Sequence, residues 1–262
     1  MATNTAALPL QTGTYFSRAL QREQPYAWFA PPSWDGTLTE ATPRYPLLVL
    51  LHGLGGGHQD WAQNTRIARY AAEQEMVIAF PDGGDGWYTN AVEDGPRCED
   101  DLVQDFLPHL QATLPLLPPG KHWAIGGLSM GGYGALKIAL KRPDLFLFAV
   151  SHSGALEQPK TPQPHPVFGD PNRHSAQRRA EYPAYLAELA LCRWPSERPR
   201  LYFDCGESDA LREENQRFAD HLRFLGYPHT YREMPGYHTW PYWNRAFRTA
   251  LPIIAQAIQE QR

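Results

Sequence analysis

The sequence predicts an α/β protein built around a mostly parallel sheet. Apolar runs such as "PLLVLLHG" and "LFLFAV" are strand-length and unbroken, the pattern of strands buried on both faces. Helix-length stretches separate them, so successive strands are joined by crossovers, with helices covering both faces. The 262 residues suffice for a large core, and 42% hydrophobic with 20% charged residues is ordinary for a folded chain.

Up to about Pro46, aromatic and Thr-rich runs alternate with turn residues ("AWFAPPSWDG"), which reads as short antiparallel strands. "PLLVLLHG" is the first buried strand. "DWAQNTRIARYAAEQE" is a helix with Asp60 as its N-cap. "MVIAFPDG" is the next strand. "EDDLVQDFLPHLQATL" is helical, with Leu102, Phe106, Leu107 and Leu110 on one face, its early acids suiting a helix N-terminus and Pro108 kinking or splitting it. "HWAIGGLS" is a strand and "MGGYGALKIALKRP" a helix ended by Pro143. The strands "LFLFAVSHSG" and "PRLYFDCGESD" follow, then the helix "LREENQRFADHLRFLG", closed by Gly226. "HTYREMPG" is the last strand and "WPYWNRAFRTALPIIAQAIQ" the last helix. Residues 156–199 carry Pro, His, Arg and Tyr but no buried strand. They read as a lid-like insertion over the sheet edge within a single domain spanning 1–262, the kind of excursion that shapes a substrate pocket.

Composition narrows the function classes. Lys+Arg number 24 against 28 Asp+Glu, a formal charge of -4, and no face-sized basic run suggests nucleic acid. No apolar run approaches the roughly 18 residues of a membrane span. The N-terminal stretch lacks the basic-then-apolar order of a signal peptide. Cys98, Cys192 and Cys205 are sparse, odd in number and without CxxC spacing, which predicts buried or partly buried thiols in a reducing, cytoplasmic setting and no metal site.

Chemistry concentrates at Gly127-Leu128-Ser129-Met130-Gly131. This is G-x-S-x-G after a buried strand and before a helix, the context in which such a serine is a nucleophile. The tight turn needs a strained backbone, and glycines two residues to either side remove Cβ clashes. No register here fits a dinucleotide or P-loop fingerprint, although glycines alone also turn a strand into a helix. Acyl transfer needs two N–H donors for its oxyanion, and Met130 and Leu54 in "HGLGGG" are placed to supply them. Among ten histidines, His238 lies between the last strand and last helix and follows the acids in chain order, with His152 in "VSHSG" as the alternative base. "LYFDCGESDAL" offers Asp209 as the acid, then Asp204 and Glu207; Asp209 can also cap the helix that follows. Trp61, Trp87 and Trp240 are candidate substrate-binding walls, with Tyr88 and Trp194 further candidates and plain core packing the competing role.

From "YPLLVLLHGLGG" onward the chain resembles the Putative esterase family of the α/β-hydrolase superfamily. The resemblance rests on that run, Trp61, "FPDGGDGWYTN", "GGLSMGGYGALKIAL", "PDLF", "SHSGAL", "FDCGESDAL" and "GYHTWPYWN". The group includes esterase D and S-formylglutathione hydrolases, tributyrin and acetyl esterases, feruloyl esterases and mycolyltransferases. The resemblance implies an α/β-hydrolase fold with Ser129, Asp209 and His238 as nucleophile, acid and base, and Leu54 and Met130 as backbone oxyanion donors. It implies a cofactor-free serine carboxylesterase acting on small short-chain acyl esters, with no nucleic-acid or membrane partner and self-association left open. Feruloyl, carbohydrate-ester or S-formylglutathione hydrolysis, acyl transfer, and a non-catalytic binding role are the alternatives.

Overall fold

The computed structural model describes residues 7–194 and 196–261. Its strands are β1 (Gln11–Ser17), β2 (Arg22–Phe29), β3 (Leu47–Leu51), β4 (Val77–Pro81), β5 (Gly120–Leu128), β6 (Phe146–His152), β7 (Arg200–Gly206) and β8 (His229–Met234). Among the described residues they form one sheet in the order β1-β2-β4-β3-β5-β6-β7-β8. The pairs from β4 and β3 across to β8 are parallel, while β1 and β2 form an antiparallel hairpin at one side. All five residues of β3 are buried because side chains alternate across a sheet covered on both faces. Leu47, Val49 and Leu51 face one core; Leu48 and Leu50 face the other.

The helices are α1 (Asp60–Asn64), α2 (Ile67–Ala71), α3 (Cys98–Asp100), α4 (Leu107–Thr113), α5 (Met130–Lys141), α6 (Ser175–Ala180), α7 (Pro183–Arg193), α8 (Arg212–Leu225) and α9 (Trp240–Gln259). Residues of α4, α5, α7 and α8 build one core, and α2 and α9 with Trp61 build the other. The fold is the expected α/β class, and α8 closes as read, with Gly226 left-handed at φ 68°. Among the described residues, no helix is long and apolar enough to cross a membrane.

Three local expectations change. The helix foreseen from Asp60 is two short helices, because Thr65 is extended and its hydroxyl bonds Trp61 O and accepts the Ile67 N–H at 3.1 Å. Asp60 is not the N-cap; Gln59 takes that position, and Asp60 Oδ2 accepts the Gly57 N–H at 3.2 Å. Pro108 does not split its helix. The backbone widens into a π-helical segment, Asp101–Phe106, just before Pro108, which sits in the first turn of α4. Cys98 and Cys205 are buried, but Cys192 is exposed.

The acids of the α3–α4 stretch serve tertiary contacts. Tyr15 Oη donates to Asp101 at 2.9 Å, and Arg18 Nε pairs with Asp105 at 2.8 Å, tying the hairpin down. Glu99 faces α5, where the fully buried Lys137 Nζ reaches it at 2.7 Å and Lys141 at 2.8 Å. Both lysines also meet Glu181, which immediately precedes Tyr182 and α7. Residues 156–199 hold a 3-10 turn (Gln158–Lys160), α6 and α7. Helix α7 packs on α5 and α8, so this segment adds to the helical layer on one side of the sheet.

Burial pushes the Glu99 carboxyl up, but the two lysines outweigh it and hold the group down at about 2. Its folded pKa is depressed, so its stabilisation is complete above the ordinary value near ~4.3 and fades as pH falls toward the folded value. Thermal unfolding across that acid range should show Glu99→Gln with a flatter pH dependence than the wild type. Lys137→Met should cost about 3 kcal/mol, the lower end for a broken buried pair, because Lys141 alone is left to face Glu99 and Glu181; denaturant unfolding at neutral pH reads this.

Candidate active site

Six loops at the carboxyl ends of the parallel strands set the site. The turn from β5 into α5 is the sharpest. Ser129 has φ 53° and ψ −118°, a strained conformation for a residue with a Cβ. Its N–H donates to His152 O at 2.9 Å, and its carbonyl accepts the Tyr133 and Ala155 N–H groups at 3.0 and 3.1 Å. The glycines are needed for contact: a Cβ on Gly127 would lie 2.5 Å from the Gly131 carbonyl carbon. A Cβ on Gly131 would lie 2.4 Å from Leu51 O and 2.6 Å from His52 O. The serine turn therefore rests directly on the end of β3, from which the "HGLGGG" loop leaves.

His238 Nε2 lies 3.0 Å from Ser129 Oγ, so the hydroxyl can donate to it. The other ring nitrogen donates to Asp209 at 3.0 and 3.1 Å. Asp209 also accepts the Leu211 N–H at 2.9 Å, so it shapes the start of α8 while it holds the histidine. Burial pushes the Asp209 carboxyl up, but hydrogen bonds from His238 and Leu211 more than offset this and keep it below the usual carboxylate range. The β7 and β8 loops are stitched by the Ser208 N–H on Gly236 O at 3.0 Å. A Cβ on Gly206 would come 2.4 Å from that same oxygen. Trp243 stands edge-on to the His238 ring at 4.9 Å between centroids.

Met130 opens α5, and Leu54 stands exposed on the β3 loop; neither amide has an acceptor among the described residues. Two side chains not singled out by sequence fix that loop. Asp85 Oδ1 accepts the Gly55 N–H at 2.7 Å. His52 Nε2 accepts the Gly83 N–H at 2.9 Å, which leaves its Nδ1–H to donate to Gly53 O at 2.8 Å. The nearest available signal was the aspartate in "GGDGW" beside a glycine-rich loop.

The other base–acid pair also forms, but the serine hydroxyl is bonded to His238 and not to it. His152 Nδ1 meets Asp204 at 2.7 Å with both side chains fully buried, and Tyr242 Oη donates to Asp204 at 2.8 Å. A cavity of about 700 Å³ opens over Ser129 and His238, walled by Leu54, Trp87, Val167 and Leu211 among others. Trp87 lines it as expected. Trp61 does not: it is 1% exposed, packed on Trp240 and Phe247, with its indole N–H on Leu51 O. Trp240 packs edge-to-face with Trp61 and Trp243 outside the cavity, Tyr88 is core, and Trp194 lies at the end of α7. His165, not among the histidines picked out in the sequence, lines the cavity beside Trp87.

Residues 17–254 match the family described as "Putative esterase". The chain belongs to this family. It is a carboxylic-ester hydrolase with an α/β-hydrolase fold. It is 28% identical over 223 residues to an acetyl esterase of Caldicellulosiruptor saccharolyticus, covering 80% of this chain and 83% of that one. It is 31% identical over 222 residues to an esterase of Mycobacterium tuberculosis, covering 74% of this chain but spanning only 48% of that relative's length. The fluorophosphonate-binding serine hydrolase F of Staphylococcus aureus, solved with substrate bound, superposes with TM-score 0.84 at 26% identity, covering 95% of this chain and 99% of that one. An S-formylglutathione hydrolase of the same species gives 0.83 at 25% identity, covering 95% and 100%.

Gly131→Ala should lower stability by about 1–3 kcal/mol through overpacking. It should also cut kcat on the order of 100-fold by displacing the loop that carries Leu54. Circular dichroism melting and steady-state ester hydrolysis check the two effects separately.

Proposed function

We propose that this esterase hydrolyses uncharged short-chain acyl esters through an acyl-enzyme on Ser129. The carrying observation is the unbroken chain of bonds from Ser129 Oγ through His238 to Asp209. Ser129 Oγ attacks the ester carbonyl while His238 Nε2 takes its proton, and Asp209 holds the resulting imidazolium. The Leu54 and Met130 N–H groups receive the oxyanion. The tetrahedral adduct collapses, the C–O bond breaks, and His238 protonates the departing alkoxide. Water, deprotonated by His238, then attacks the acyl-enzyme and releases the acid and Ser129. No step calls on a metal or cofactor.

Two features favour a neutral, short acyl group. The cavity wall mixes Trp87, Ala155, Pro166, Val167 and Leu211 with no lysine or arginine, and Asp85 adds a negative charge at the wall. An anionic acyl chain therefore meets no partner there. Similarity to an acetyl esterase points the same way. Residues 156–199 act in this reading as the lid-like specificity wall, since Gln158, His165, Pro166 and Val167 come from them. The sparse free cysteines fit a reducing, cytoplasmic setting.

Ser129→Ala should lower kcat on nitrophenyl acetate and butyrate by about 10⁴-fold or more while the melting curve stays native. Wild-type turnover in that variant would sink the mechanism. Across acetyl, butyryl, octanoyl, feruloyl and formyl-thioester substrates, kcat/KM should peak at acetyl or butyryl; a feruloyl or formyl-thioester peak would replace the short-acyl reading. Trp87→Ala should shift the octanoyl-to-acetyl ratio of kcat/KM upward on the order of tenfold by lengthening the acyl space.

A further inference from the structure

A second cavity, of about 390 Å³, lies between residues 159–162 and α6. Pro159, Lys160, Ser175, Arg178, Arg179 and Tyr182 line it, and no carboxylate does. Arg178 is only 4% exposed. Its Nε and Nη1 atoms are buried without a hydrogen-bond partner, and Nη2 reaches only Gln163 O, at a long 3.5 Å. Among the described residues no carboxylate lies within ion-pair distance of it, and the negative charge of Asp170, which acts from farther off, does not outweigh its burial. A charged guanidinium seldom stays buried unpaired, because desolvation is repaid only by an opposing charge. The other two cations differ. Lys160 lies over the Tyr182 ring and near Glu157, Arg179 lies over the Tyr185 ring, and both are exposed at the rim.

We propose that this cavity binds a small oxyanion, a carboxylate or phosphate group, with Arg178 as anchor and Lys160 and Arg179 as rim cations. The planar guanidinium fork matches the paired oxygens of either group; Nε and Nη1, closed to solvent here, meet them by a rotation of the side chain toward the cavity that Arg178 lines, and the Ser175 hydroxyl adds a neutral donor. The site is separate from the catalytic cavity but shares a wall with it. Residues 159–162 line the anion cavity, whereas Gln158 and residues 165–167 of the same segment line the catalytic one. The charge of Arg178 is felt there: after burial, it is what keeps His165 below the ordinary histidine range. An anion on Arg178 both neutralises that charge and braces the shared wall.

Calorimetric titration of the full chain with inorganic phosphate and with malonate, at constant ionic strength against sodium chloride, tests the site. Saturable binding of either anion is expected, and the preferred one names the group. Arg178→Met should weaken it at least tenfold, and the Lys160→Ala, Arg179→Ala double variant severalfold, while Ser129→Ala binds like the wild type. Should Arg178→Met fail to fold, the double variant decides. The proposal fails if neither anion binds beyond chloride, or if the Arg178 or double variant binds as tightly as the wild type, which would place any bound anion elsewhere.

Discussion

Two backbones touch where the turn at Ser129 meets the end of β3, and the site depends on that contact. Gly131 presses on the Leu51 and His52 carbonyls, and Gly127 presses on Gly131. Any side chain at either position would separate the strand that leads into Ser129 from the strand that leads into the Leu54 loop. The same contact puts Met130 at the start of α5, beside the end of β3 from which the Leu54 loop leaves. The strain at Ser129 is tolerated because its own N–H and C=O are both bonded to neighbouring backbone.

A buried charge cluster carries this geometry outward. Lys137 on α5 bonds Tyr88 O and Thr89 Oγ1, and Tyr88 Oη donates to His52 O at 3.2 Å. Tyr88 also fills the notch at Gly134. Trp87 and Tyr88 both have positive φ, at 53° and 49°, so the loop that turns Trp87 into the cavity is itself strained and held by this cluster. Through Glu181 the cluster reaches the 156–199 segment, so α5, the Tyr88–Thr89 turn and that segment share one ion and hydrogen-bond network.

Much of this was legible in the sequence, and unevenly. Ser129, Asp209 and His238 could be singled out because each falls just beyond the carboxyl end of a strand, and a parallel sheet gathers such loops at one edge. Asp209 was separable from Asp204 by position, since a residue inside β7 is locked in the sheet while one in the loop can turn toward His238. Trp61 and Trp240 misled because aromatic composition does not reveal which way a ring faces; Trp61 packs against Phe247 of α9, and Trp240, which opens α9, packs on Trp61 and Trp243. Asp85 and the Gly206–Gly236 contact escaped notice because they act across separate loops, where spacing carries no signal. Arg178 escaped for the opposite reason: in "SAQRRAEY" it reads as one more surface charge, and only the fold buries it.

The central claim is that Ser129, activated by His238, is the nucleophile. Peptide mass spectrometry after treatment with a fluorophosphonate tests this without assuming any substrate. The account predicts one phosphonyl adduct per chain, on the peptide containing Ser129, with labelling greatly slowed in His238→Ala. Failure of the folded protein to label, or an adduct on a different serine, would contradict it.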